Sequence, residues 1–127
     1  MKLLSTTPVF LVADIAATMR WYQTNLQFDG RAVPESPPHT FGIMSKDDIQ
    51  IFLQQLEGYE KPDPYENREG GVWNVYVQME GVREFFETVS TLGDVTMVER
   101  LRQQPYGQIE FAIKDPNGYV LVFAERT

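Results

Sequence analysis

The chain has 127 residues, 43% of them hydrophobic and 13% aromatic, which is enough apolar material for one packed domain. Its formal net charge of −7 argues against nucleic acid and anionic membranes as partners and favours attraction of cationic small molecules. The sequence has no cysteine, no run of about 18 apolar residues and no signal-peptide pattern, so we expect a cytoplasmic protein without disulfides, thiolate metal sites or a cysteine nucleophile.

The first half of the chain predicts a strand, a helix and three further strands. The first strand covers about residues 7–13, and the later three cover about residues 29–33, 40–45 and 49–54. Asp14 stands where a helix cap is wanted. The helix that follows has one apolar stripe, because its apolar residues are spaced at helical intervals: Ile15, Met19, Tyr22 and Leu26.

The second half repeats this plan. A strand over about residues 72–78 precedes a helix with Val82, Phe86 and Val89 on one face and Gly93 as its predicted stop. Strands follow at about residues 95–102, 108–114 and 119–124. The last is introduced by a turn whose residues favour tight reversal of the chain: Asp115, Pro116, Asn117 and Gly118. The chain is therefore predicted to be one domain of two βαβββ modules, at about residues 5–56 and 72–127.

The segment between the modules, residues 57–71, is rich in charge, proline and glycine. This composition is typical of a flexible connector. It is also compatible with a loop that holds Tyr59 and Tyr65 over a pocket.

Strand alternation divides the sheet residues into two faces. One face packs under the helices and includes Trp73, Val75 and Val77. The other face has aromatic and polar side chains, as in a small-molecule pocket, although a solvated outer face would have a similar pattern. Its predicted ligand-binding residues are Gln50, Phe52, Gln54, Asn74, Tyr76 and Glu110. Tyr106, in the "QQPYGQ" turn, is either a further rim residue or a plain turn tyrosine.

The segments "PVFLVADIAATMRWY" and "DPNGYVLVFAE", together with the duplicated plan, resemble the glyoxalase, bleomycin-resistance and ring-cleaving dioxygenase superfamily. The resemblance covers essentially the whole chain. It implies the α+β vicinal oxygen chelate fold, in which two βαβββ modules form a curled, barrel-like open sheet. It also implies a homodimer.

The enzymes of this superfamily hold a divalent metal with histidine and glutamate, and the resemblance places the ligand positions at Thr7, Val72 and Val122. None of these residues is a usual metal ligand, so we expect no metal and no other cofactor. Glu125 lies three residues past the expected glutamate position and on the opposite strand face. His39, the single histidine, has no partner cluster and is interpreted as a loop or pocket-rim residue.

These residues favour a metal-independent small-molecule binding protein similar to the bleomycin-resistance branch, one that sequesters a planar aromatic antibiotic or metabolite. A metal-independent lyase or isomerase, with Glu110 or Tyr76 as proton carrier, is the enzymatic alternative. A dimeric interaction or regulatory module is the third. The sequence assigns no catalytic residue.

Overall fold

The computed structural model describes residues 1–127 and has two helices and eight strands. The chain divides into two compact units, residues 1–61 and 62–127. The elements are β1 (Val9–Val12), α1 (Ile15–Leu26), β2 (Asp29–Val33), β3 (Phe41–Lys46), β4 (Ile49–Gln55), β5 (Val75–Gln78), α2 (Val82–Ser90), β6 (Thr96–Gln103), β7 (Gln108–Lys114) and β8 (Val120–Arg126). A short 3-10 turn covers Tyr65–Asn67.

Each unit contains one four-stranded sheet, and the two sheets have the same topology. The strand orders are β1-β4-β3-β2 and β5-β8-β7-β6. In each sheet the first strand pairs in parallel with the last, and the remaining pairs are antiparallel. The predicted α+β class and the duplicated βαβββ plan are therefore confirmed. Neither helix is long and apolar enough to cross a membrane.

Helix α1 begins where the sequence predicts. The Asp14 carboxylate accepts a hydrogen bond from the backbone N–H of Ala17 at 3.0 Å and so caps the first turn. Three residues of the predicted apolar stripe, Ile15, Tyr22 and Leu26, are buried, and Thr18 is buried with them. Thr18 can be buried since its hydroxyl donates to the Asp14 carbonyl at 2.8 Å. Met19 is partly buried and lies next to Gly30.

Helix α2 covers one side of the second sheet. Val82 and Val89 are buried, and the rings of Phe85 and Phe86 pack on Phe111 of β7 with centroids 5.8 and 5.3 Å apart. The helix ends at Ser90, so the prediction that Gly93 stops it is wrong. The ending is made by backbone N–H groups of residues 91 and 92, which bond to carbonyls three residues earlier and tighten the last turn.

A side chain from β8 caps the start of α2. The N-cap residue, Gly81, has no side chain, and the Glu125 carboxylate accepts from the N–H groups of Gly81 and Val82 at 3.1 and 3.0 Å. A negative charge at a helix N-terminus is favourable. Glu125 therefore faces α2, and its predicted location on the face opposite Val122 is confirmed.

Strand β5 begins at Val75 instead of residue 72, and the predicted packing of Trp73 under α2 is wrong. The backbone N–H of Asn74 donates to the Val120 carbonyl, and the Asn74 side-chain oxygen accepts from the Val120 N–H at 2.8 Å. The Asn74 side-chain oxygen thus accepts a hydrogen bond that a backbone carbonyl would accept in a regular strand. The residues before Asn74 therefore do not follow the strand alternation. The Trp73 ring consequently lies beside Tyr76, with centroids 5.6 Å apart.

The turn before β8 has the predicted chemistry. The Asp115 carboxylate accepts from the N–H groups of Asn117 and Tyr119, each at 2.9 Å. Gly118 has a φ of 91°, which a side chain would oppose. The turn therefore delivers β8 into the centre of the sheet with its buried polar groups satisfied.

The Glu125 cap predicts an effect on stability. We expect Glu125→Ala to lower the free energy of unfolding by about 1 kcal/mol, the usual effect of losing a helix N-cap. Glu87→Ala is the control, since it removes an exposed carboxylate from α2 outside its first turn. Equal stabilities of the two variants in urea unfolding would contradict the capping role.

Candidate functional site

The candidate site lies on the face of the second sheet that is turned away from α2. The strand register places Tyr76 of β5 opposite Val122 of β8, and Val122 opposite Ala112 of β7. Glu110 is two residues from Ala112 on β7 and therefore shares their face. We call this surface the site face.

A buried carboxylate bound by two tyrosines is the main polar feature of the site face. Glu110 is only 3% exposed, and its two oxygens accept hydrogen bonds from the hydroxyls of Tyr76 and Tyr106. Tyr76 comes from β5, and Tyr106 comes from the turn between β6 and β7. We call these three residues the carboxylate triad. The structure thus brings together three of the predicted ligand-binding residues.

The tyrosines of the triad are exposed although the carboxylate is not. Tyr76 is 39% exposed and Tyr106 is 51% exposed, while Trp73, next to Tyr76, is 41% exposed. Large aromatic side chains open to solvent above a buried charge are typical of a ligand-binding surface. Trp73 was not among the predicted site residues. Strand alternation places it on the face opposite Tyr76, and the sequence carries no signal that the alternation ends at Asn74.

No basic side chain forms an ion pair with Glu110. Arg102 is its Cα partner on β6, but the Arg102 guanidinium pairs with Glu99 at 2.9 Å. The Glu110 carboxylate is therefore stabilised by hydroxyl donors alone. Charge-assisted hydrogen bonds of this kind are stronger than neutral ones.

The triad changes the acidity of its tyrosines. Burial, followed by the hydrogen bond to Glu110 and its negative charge, raises the pKa of Tyr76 from 10.0 to about 12. The same causes raise the pKa of Tyr106 above its ordinary value. Both hydroxyls therefore keep their protons at neutral pH and serve as donors to Glu110.

Beside the triad the site face is hydrocarbon. Ala112, Val120 and Val122 form a buried cluster, against which Tyr65 and Val98 pack. Val122 is the residue that stands at the superfamily's glutamate position. The second unit, residues 62–127, has no histidine. The carboxylate on this face, Glu110, accepts hydrogen bonds from two tyrosines, and no group of three or more His, Asp or Glu side chains comes together in the chain. These residues do not fit a catalytic divalent metal.

Tyr65 lies over this cluster because the segment before β5 folds onto the sheet. A Cβ added to Gly71, which has a φ of 81°, would lie 2.3 Å from the Tyr65 ring, so the close approach requires glycine. Lys114 Nζ is 5.6 Å from the Tyr65 ring centroid and 2.6 Å from Asp63 Oδ2. Burial and the charge of Glu99 raise the pKa of Tyr65. Tyr65 therefore packs on the sheet, whereas the covering of a ligand pocket by this segment stays a prediction.

The remaining predicted site residues have separate positions. Asn74 uses its side-chain oxygen to bond β8, as described above. In the first unit, Gln50 and Gln54 of β4 are exposed, and the half-buried Phe52 ring packs on Phe41 with centroids 5.2 Å apart. His39 lies in the loop between β2 and β3, with Nδ1 2.8 Å from the Pro34 carbonyl oxygen.

Comparisons with known proteins agree with this fold. The family model described as Glyoxalase/Bleomycin resistance protein/Dioxygenase superfamily matches residues 5–123. Among solved structures, TioX from Micromonospora sp. ML1 is 15% identical with a TM-score of 0.73, covering 98% of this chain and 97% of its own. A glyoxalase-related enzyme from Clostridium phytofermentans is 16% identical with a TM-score of 0.74, covering 100% and 98%.

A further solved structure of this fold is the bleomycin-binding protein from bleomycin-producing Streptomyces verticillus, complexed with copper(II)-bleomycin. It is 18% identical with a TM-score of 0.69, and the match covers 97% of this chain and 96% of that one. No curated protein matches the sequence. The sequence identities to these solved structures are low, so the comparisons with them establish a common fold and nothing further.

The raised tyrosine pKa values predict a loss of stability in alkali. The folded state holds the Tyr76 proton more tightly than the unfolded state, so this stabilisation is complete below pH 10.0 and is lost as the pH rises to about 12. Glu110→Gln should lower both tyrosine pKa values and shift the ultraviolet tyrosinate titration to lower pH. Glu84→Gln, which removes one exposed charge from α2, is the control. An unchanged titration in Glu110→Gln would contradict the triad.

Proposed function

Because the chain belongs to the glyoxalase/bleomycin resistance protein/dioxygenase superfamily, we propose that it is a metal-independent binding protein for a planar aromatic small molecule. One observation carries this proposal. The site face has exposed aromatic rings around a buried carboxylate, and it has hydrocarbon where the superfamily's enzymes have a metal-binding glutamate. The residues are suited to holding a flat ligand and unsuited to activating one through a metal.

The aromatic rings are the basis for the ligand class. Trp73 and Tyr76 each have an exposed part and lie 5.6 Å apart at an interplanar angle of 38°, so together they offer ring surface to one ligand. Aromatic side chains contribute large contact areas at low conformational cost and prefer offset or tilted ring contacts. The bleomycin-binding protein of the same fold supports extending the proposal to sequestration of an antibiotic or metabolite.

Proton transfer by the triad is disfavoured, which places the lyase or isomerase alternative second. A general acid or base works best with a pKa near the operating pH, and the Tyr76 pKa of about 12 is far above it. Both Glu110 oxygens already accept hydrogen bonds from tyrosines. Binding without turnover is therefore the simpler use of these residues. We also propose that the chain acts as a homodimer, as the resemblance implies, and that it is cytoplasmic.

Metal independence predicts that the purified protein retains no catalytic divalent metal. After loading with zinc, nickel or manganese and dialysis, elemental analysis should find far less than one metal per chain, because hydrocarbon side chains cannot coordinate. Stoichiometric retention that Glu110→Gln abolishes would contradict the proposal.

Aromatic binding predicts that a panel of planar antibiotics and metabolites contains compounds that raise the melting temperature and are recovered unchanged. Tyr76→Ala should weaken binding of such a hit by about 1 to 3 kcal/mol, the scale of a buried aromatic anchor. Phe86→Leu removes a ring from the opposite side of the second sheet and is the control.

The outcomes separate the three function classes. Stabilisation without chemical change, measured by mass spectrometry of the recovered compound, supports the binding protein. Consumption of the compound would show an enzyme. Normal binding by a folded Tyr76→Ala variant would overturn the site assignment, and a panel without any hit would favour the interaction module.

A further inference from the structure

The Glu110 carboxylate has a charge that no basic side chain of the protein offsets. Buried charges in proteins are normally paired, because removing an ion from water is costly in free energy. Here the residue opposite, Arg102, turns to Glu99, and the two tyrosines supply hydrogen bonds without any positive charge. A positive charge near Glu110 would therefore be stabilised by the site.

The triad also has a defined hydrogen-bond polarity. A tyrosine hydroxyl has one proton, and in both tyrosines that proton is donated to Glu110. The phenolic oxygens of Tyr76 and Tyr106 can then only accept further hydrogen bonds. A ligand group that contacts these oxygens must therefore supply the hydrogen-bond donors. A carboxylate, phosphate or carbonyl group would place its own lone pairs against those of the tyrosine oxygens.

The exposure of the three residues decides which of them a ligand meets first. Glu110 is buried, whereas Tyr76 and Tyr106 are exposed, so a ligand meets the tyrosine oxygens and rings before the carboxylate. The charge of Glu110 acts through these residues over a short distance and with little water between. The rings of Tyr76 and Trp73 add attraction for a cation, since their faces are electron-rich.

From these three observations we propose that the carboxylate triad selects ligands with a positively charged N–H donor, such as a protonated amine, amidinium or guanidinium, attached to a flat aromatic ring. This inference rests on the proposed binding function and specifies the ligand's charge and hydrogen-bond polarity. The overall charge of −7 attracts such ligands from a distance.

Three acridines of similar shape and different charge test the inference by calorimetry at mildly alkaline pH. They are 9-aminoacridine, a cation with N–H donors; acridine, which is neutral; and acridine-9-carboxylate, an anion. The wild-type protein should bind 9-aminoacridine about tenfold more tightly than acridine and should bind the anion least, as cation–π and charge attraction together require.

Variants separate charge from ring contact. Glu110→Gln keeps the shape of the side chain but removes the charge, so it should bring the affinities for 9-aminoacridine and acridine within about twofold of each other. Replacing both tyrosines by phenylalanine keeps the rings and should weaken binding of the cation more than binding of acridine. Glu84→Gln, with the same loss of charge on α2, should leave the tenfold preference intact.

The failure of this inference is distinguishable from that of the proposed function. If acridine binds the wild-type protein as tightly as 9-aminoacridine, or the anion binds best, the selection for cationic donors is wrong and aromatic binding stands. A tenfold preference that persists in Glu110→Gln would also overturn it. If none of the three compounds binds, the aromatic binding surface and the inference are both contradicted.

Discussion

The site depends on one interaction: the buried Glu110 carboxylate accepts hydrogen bonds from two tyrosine hydroxyls. Glu110 lies on an inner strand of its sheet and is almost fully buried. Without donors, a carboxylate there would be costly to bury. Tyr76 of β5 and Tyr106 of the turn between β6 and β7 supply those donors, and each hydrogen bond orients the tyrosine that makes it. The carboxylate therefore orients the aromatic surface as well as charging it.

The second consequence is chemical. The superfamily's glutamate position, Val122, lies opposite Ala112 on β7, and Glu110 is two residues before Ala112 on that strand. The site face thus retains a carboxylate, but its neighbours are hydroxyl donors and hydrocarbon where an enzyme would have imidazole. Hydroxyl donors stabilise the negative charge of Glu110 but are themselves neutral, so the carboxylate charge stays available to attract a cationic ligand. This difference is the basis for proposing an organic cation as the ligand.

Much of this arrangement is predictable from the sequence, because strand alternation follows from a period of two residues. It correctly places Glu110 and Ala112 on one face and Phe111 on the other. It does not predict that Tyr106 reaches Glu110, since this depends on the turn in which Gly107 has a φ of 85°. It also fails for Trp73, because the Asn74 side chain replaces a backbone partner and ends the alternation. Turns and strand ends depend on such single hydrogen bonds, whereas periodic patterns average over many residues.

A crystal structure of the chain with 9-aminoacridine tests the central claim most directly, because it locates the ligand and the Glu110 side chain together. The account predicts the acridine ring against Tyr76 and Trp73, with its amino group donating to a tyrosine oxygen whose hydroxyl still points to Glu110. A complex in which Glu110 forms an ion pair with Arg102, or in which the acridine lies away from the site face, would contradict it.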